Sequence, residues 1–193
     1  MNAITVPHRQ GLCSAAQSQL ILIDIQERLG QAMPGKVLNR VVLNSVLLAN
    51  GAGLLEVPVI VTEQYPQGLG PTDNNIVAAV PTNVTKIEKT SFSAAGTDTF
   101  MRALSATNRK QVVIVGMEAH VCVLQTALDL VAQSYEVFVV EDAVCSRRLE
   151  NYQNALDRMR QSGVAVVSAE SVTFEWLQDA KHEHFKEIQK TLR

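Results

Sequence analysis

The stretch QVVIVGMEAHVCVLQTALDL, residues 111–130, decides the fold. Its start, QVVIVG, carries four consecutive apolar, β-branched residues, Val112, Val113, Ile114 and Val115, before Gly116, the pattern of a buried strand. Over 120–133 apolar residues recur at helical spacing, so an amphipathic helix follows almost at once. A wholly apolar strand feeding a helix is the building unit of a parallel sheet covered on both faces. Cys122 falls in the first turn of that helix. The unpaired N–H groups and positive end of a helix favour a thiolate, so the expectation is a nucleophile that iodoacetamide alkylates well below about pH 8. The plainer reading of a cysteine at such a junction is a small buried apolar residue.

The same rhythm extends in both directions. LILIDI at 20–25, VPVIVT at 57–62, VTKIEK at 84–89, EVFVVE at 136–141 and VAVVS at 164–168 read as strands. Helical spacing covers 36–54, closed by Gly51 and Gly53, then 97–107 and 150–161, with a short helix at 75–80 and a helical tail over 171–192. EQYPQGLGPTDNN at 63–75 has no period, and so long a loop in a compact domain points to function. Six strands alternating with helices predict a single-domain, three-layer α/β/α fold with a mainly parallel sheet. Right-handed crossovers make 3-2-1-4-5-6 the expected order, a Rossmann-like winding. Residues 1–18 are expected to be flexible and 19–193 to form the domain.

Composition narrows the function classes. The 193 residues are 47% hydrophobic and 19% charged, with a net charge of −2. The basic residues are scattered, which speaks against a nucleic-acid partner. Three cysteines without CxxC spacing argue for free thiols in a reducing compartment. The first 19 residues lack a signal-peptide core. A cytoplasmic location is expected, with an organelle transit peptide as the alternative because that segment holds no acidic residue. The apolar region 41–61 is interrupted by Asn44, Asn50, Glu56 and Pro58, so no membrane span or membrane partner is expected.

In the order 3-2-1-4-5-6 the crevice opens between the first and fourth strands. Asp24 lies near the end of the first strand, Cys122 after the fourth, and Lys89 at the end of the third. A thiol, a carboxylate to take its proton and an ammonium to hold the carboxylate ionised make a nucleophile set. Taken singly, Asp24 reads as a strand-end cap and Lys89 as a solvated turn residue; their joint placement carries the inference. GxGxxG, Walker A and GxSxG motifs are all absent, so no dinucleotide or other cofactor is expected. His120, two residues before Cys122, reads as a cap or substrate-lining residue. Cys13 and Cys145 read as bystanders.

Three blocks, LILIDIQERL with Asp24, KTSFSA with Lys89 and VVIVGMEAHVCVLQTALDL with Cys122, resemble the isochorismatase-like cysteine hydrolase superfamily. VTEQYPQGLGPT and EVFVVEDAVCSR are similar to its isochorismatase domain-containing branch, and the likeness runs from about 19 to 170. The resemblance implies a catalytic triad of Asp24, Lys89 and Cys122. It also implies a cis peptide between Met117 and Glu118, and an oxyanion hole made by the backbone N–H groups of Glu118 and Cys122. Nicotinamidases of the superfamily bind a metal through Asp-x-His and a further His after the second strand. Here Glu63, Gln64 and Tyr65 stand at that place, so no metal is expected.

The reading is a cysteine hydrolase of a small amide, ester or related acyl substrate, acting through a thioester. Gln64, Tyr65, Phe92 and His120 are the expected pocket lining. The alternative is a non-hydrolytic scaffold or redox-sensing protein that retains the fold. A homo-oligomer is expected, with contacts through the loop 64–72 and the aromatics Phe174, Trp176 and Phe185 unless these fold back on their own sheet.

Overall fold

The computed structural model describes residues 11–82 and 84–192. Six parallel strands form one sheet in the order β3-β2-β1-β4-β5-β6. They are β1 (Ser18–Ile23), β2 (Val59–Gln64), β3 (Thr85–Lys89), β4 (Gln111–Met117), β5 (Glu136–Cys145) and β6 (Ala165–Val167). The expected winding is therefore the observed one. β1 lies between β2 and β4, with Leu22 level with Val61 on one side and Val115 on the other.

Strand alternation splits the core between two faces. Leu20, Leu22, Val61, Val113 and Val115 point to one side and meet Val41, Leu48 and Ala52 of α2 (Gly35–Leu54) and Trp176 of α8 (Ala169–Leu177). Ile21, Ile23, Ile60 and Ile114 point to the other. There they meet Phe100 and Leu104 of α5 (Asp98–Ser105), Leu130 of α6 (Leu124–Ala132) and Met159 of α7 (Leu149–Gln161). Each such fully buried Leu, Ile or Phe side chain stabilises the fold by roughly 1.5–3 kcal/mol. The 20-residue α2 has the length and hydropathy of a membrane span, but its buried face makes it a core helix.

Gly116 binds β1 to β4 at the crevice. Its φ is +124°, and a Cβ there would stand 1.9 Å from the Ile23 carbonyl oxygen. Only glycine lets the strands approach so closely one residue before Asp24.

Several expectations change in detail. β5 runs to Cys145, beyond the expected 141. The loop 63–75 contains α3 (Pro66–Leu69), with α4 (Asn74–Ala79) at its end, and a short α1 (Glu27–Gln31) follows β1. The tail is broken into α8 and α9 (Phe185–Lys190), because Gln178 takes φ +61° and ends the first helix. Residues 1–10 of the segment expected to be flexible lie outside the described residues. Beyond them the chain is anchored: Cys13 is buried, its N–H donates to Glu175 at 2.7 Å, and Ser18 already belongs to β1. Trp176 is not a surface for a neighbour either. It is buried, and its indole N–H donates to Ser18 Oγ at 3.0 Å. Phe174 is half-exposed and lies with its ring centroid 6.3 Å from that of Phe185.

Candidate active site

The site sits at the carboxyl end of the sheet, where β1 and β4 part. Asp24 follows β1 directly and adopts φ +52°, a left-handed conformation that aspartate tolerates better than most residues. It is fully buried, and a buried carboxylate must be paired. Thr62 of β2 donates its hydroxyl to one carboxylate oxygen at 2.7 Å. Lys89 at the end of β3 donates its ammonium to the other at 2.7 Å. The Lys89 side chain is itself without solvent exposure. Its remaining donor directions meet Gln64 Oε1 at 2.7 Å and the carbonyls of Phe92 at 3.1 Å and Ser91 at 3.3 Å. Charge and hydrogen-bonding capacity are both met, which lets an ion pair persist in a dry site.

Cys122 lies on a single π turn, Ala119–Val123, that leads into α6. Both Asp24 and Lys89 act on its thiol through charge and hydrogen bonding. Burial pushes the Cys122 thiol up, and the Asp24 charge pushes it further against the opposing pull of Lys89, to about 12. The expectation of a resting thiolate that alkylates well below about pH 8 is thus corrected. Proximity to a helix end is a weaker effect than the loss of water around the sulfur. Cys122 is held as a protonated thiol with a carboxylate beside it.

The π turn changes the local hydrogen bonding in a useful way. The Glu118 carbonyl accepts the N–H of Val121 at 3.0 Å and that of Val123 at 3.2 Å, passing over Cys122 between them. Among the described residues the Glu118 backbone N–H has no backbone acceptor. The Met117–Glu118 peptide is cis. Thr126 of α6 ties this turn to the loop after β3, donating to the Cys122 carbonyl at 2.7 Å and accepting from Ala94 N–H at 2.9 Å.

The four expected pocket residues are not equivalent. Gln64 belongs to the centre, since its side chain joins Lys89 to the Thr90 carbonyl. Tyr65 and Phe92 flank Lys89 through their backbones and expose 55% and 56% of their surface, as a crevice rim would. An open cleft of about 610 Å³ lies among Tyr65, Glu88, Lys89, Thr90, Ser91 and Asp98. His120 does not join the Asp24–Lys89 network. Its ring is held by Ser146 Oγ at 2.9 Å and Asn151 Nδ2 at 3.3 Å. Among the described residues no group of three His, Cys, Asp or Glu side chains is placed to hold a metal.

Sequence reasoning missed Thr62, Thr126 and Arg147. A threonine at the carboxyl end of an otherwise apolar strand was the available signal for Thr62. Gln26 was missed too: its side chain bonds the Gln64 backbone on both sides, at 2.7 and 3.1 Å, and fixes the loop that carries Tyr65.

The chain and its fold have counterparts among known proteins. The isochorismatase domain family model matches residues 18–171. Isochorismatase domain-containing protein 2 from Danio rerio is 40% identical over 182 residues, covering 94% of this chain and 90% of that protein. Among solved structures, the MAR1 ribonuclease from Caenorhabditis elegans is 34% identical with a TM-score of 0.88, over 94% of this chain and 92% of that one. The ycaC gene product of Escherichia coli, an octameric hydrolase of unknown specificity, shares the fold with a TM-score of 0.82 at 24% identity, over 96% of each chain. By the extent of the family match and the identity to these relatives, the chain belongs to the isochorismatase domain family.

Proposed function

We propose that this protein is a cysteine hydrolase of a small amide, ester or related acyl substrate. The observation that carries the reading is the buried Asp24–Lys89 ion pair at 2.7 Å acting directly on the Cys122 thiol. Nothing in the packing calls for two opposite charges at that point, and apolar residues of like volume would fill it at less cost.

The thiol is protonated at rest, so its proton must leave as the sulfur attacks. Asp24 takes that proton while the Cys122 Sγ forms a bond to the substrate carbonyl carbon and the carbonyl π electrons move to oxygen. The N–H groups of Glu118 and Cys122 receive the oxyanion. Collapse re-forms the carbonyl and breaks the bond to the amine or alcohol, which leaves with the proton from Asp24. Water then attacks the thioester, giving a proton to Asp24, and the departing thiolate takes it back. Lys89 stays charged throughout and holds Asp24 in place. Gln64 orients Lys89, and Tyr65, Phe92 and His120 form the substrate wall. No step calls for a metal or cofactor.

The test is mass spectrometry of the enzyme treated with small activated esters and amides. An acyl adduct on Cys122, and loss of turnover in C122A, are expected. An adduct confined to Cys13 or Cys145, or turnover surviving in C122A, would remove Cys122 from the role and favour the scaffold or redox reading.

A ribonuclease reading takes its support from the name of the C. elegans relative. Phosphoryl transfer wants free cationic donors around the phosphate. The crevice lysine is already bound to Asp24 and Gln64, and the chain carries a net charge of −2, so this reading ranks second. Cleavage of single-stranded RNA by the wild type, lost in D24N, would reverse the ranking. We also propose a cytoplasmic homo-oligomer in which the loop 64–72 and the exposed Phe174 face a neighbour.

A further inference from the structure

We infer that Arg147 is a positioning residue for the oxyanion hole, acting through Glu118; the inference rests on the hydrolase reading above. Glu118 carries one of the two proposed oxyanion donors, so the orientation of its backbone sets the geometry of the hole. Its side chain is 8% exposed and points to the segment after β5. Arg147 holds that carboxylate from several directions. Its Nε lies 3.1 Å from both oxygens, its Nη2 lies 3.1 Å from Oε1, and its own backbone N–H donates to Oε2 at 3.1 Å. The Glu118 carbonyl is engaged by Val121 and Val123. Among the described residues every polar group of Glu118 is therefore bonded within the protein except the N–H that the proposed reaction uses.

Charge supports the same assignment. A bare carboxylate at position 118 would oppose negative charge on the substrate oxygen. The guanidinium cancels it with a planar fork that lysine does not reproduce. A second, separate link grips the same turn: His120 is held by Ser146, beside Arg147, and by Asn151 in α7. The segment after β5 and the first turn of α7 thus hold residues 118 and 120, on the turn that carries Cys122. Arg147 touches neither Asp24 nor Lys89 in the hydrogen-bond network, so its effect is separable from theirs.

The experiment uses the full chain with 4-nitrophenyl acetate as acyl probe and iodoacetamide as alkylating probe. In R147A and R147K, kcat should fall at least about tenfold while KM stays within about threefold, because misaligned donors weaken the transition state more than binding. The alkylation rate of Cys122 needs no oxyanion donor and should stay within about threefold of wild type. R147A/E118Q should be no worse than R147A. The Arg147 side chain is 58% exposed, and an unchanged melting temperature in R147K would show that the fold is retained. Wild-type turnover in R147A, or alkylation falling in step with turnover, would overturn the positioning role and leave the hydrolase reading standing. A wild type that forms no acetyl-Cys122, or a C122A variant that turns over normally, would overturn the hydrolase reading and the inference with it.

Discussion

Two cysteines stand at the same edge of the sheet and differ only in what surrounds them. Cys122 lies on the turn after β4, and Cys145 ends the neighbouring β5, level with Met117. Both are buried, and burial pushes both thiols up to about 12. Titration therefore does not single out a nucleophile. The neighbours differ: Asp24, itself locked by Lys89, acts on the Cys122 thiol through charge and hydrogen bonding, whereas the charges acting on Cys145 are Arg40 and Glu118. The Glu118 carboxylate is already bonded to Arg147 and has no free role as a base. A buried thiol becomes useful when a base stands ready to receive its proton, not when its resting pKa is low.

The largest test of that contrast is substitution. C122A should lower turnover by at least about 10³-fold, the scale on which loss of a covalent nucleophile acts. C145A should leave turnover within about twofold, since no proposed step touches it. Steady-state kinetics on both variants decides the matter, and comparable losses would erase the distinction.

The next effect concerns the base. D24N and K89A should each reduce turnover by about 10²–10⁴-fold, the range for a general base. Because Lys89 acts through Asp24, the double variant should fall to the same floor, which a kinetic double-mutant cycle reads directly. Multiplicative losses would mean that the ion pair is not one unit.

Much of this contrast is legible in the chain before any coordinates. The strand runs around Ile21 and Ile114 are apolar on both faces, which only a doubly covered parallel sheet accommodates. Once the order 3-2-1-4-5-6 is fixed, Asp24, Lys89 and Cys122 must share one edge. The π turn is not legible, because a bond from Val123 to Glu118 leaves no periodic mark distinct from an α-helical start. The protonated state of Cys122 is hidden for another reason: desolvation depends on how many atoms close over the sulfur, and sequence spacing does not count them. The Glu118–Arg147 clamp joins residues 29 apart in the chain, and nothing local couples them.

A stability test probes the frame that aligns the two strand ends. G116A places a methyl group 1.9 Å from the Ile23 carbonyl oxygen in a backbone conformation closed to alanine. Separation of β1 from β4 should cost more than about 3 kcal/mol in chemical denaturation, in the upper range for single substitutions. It should also misalign Asp24, the next residue after Ile23. A G116A protein with wild-type stability and turnover would show that the close approach does not set the crevice.

The smallest effect is the sharpest for the comparison. A thiol whose folded pKa lies near 12 and whose ordinary value is 9.0 keeps its proton in the folded chain after the unfolded chain has lost it. Between those values the unfolded state binds fewer protons, so stability is full below about pH 9 and falls as pH rises toward about 12. Cys122 and Cys145 are raised to the same degree, so C122A and C145A should flatten this alkaline decline equally. Each substitution also carries a pH-independent packing loss of about 1 kcal/mol, which shifts the curve without changing its slope. Urea unfolding at about pH 7.5, 9.5 and 10.5 separates the two contributions. Equal slopes from two variants, only one of which is catalytically dead, would show that identical titration hides opposite chemical fates. A decline flattened by C145A alone would mean that Asp24 and Lys89 balance differently around Cys122, with the ammonium outweighing both burial and the carboxylate.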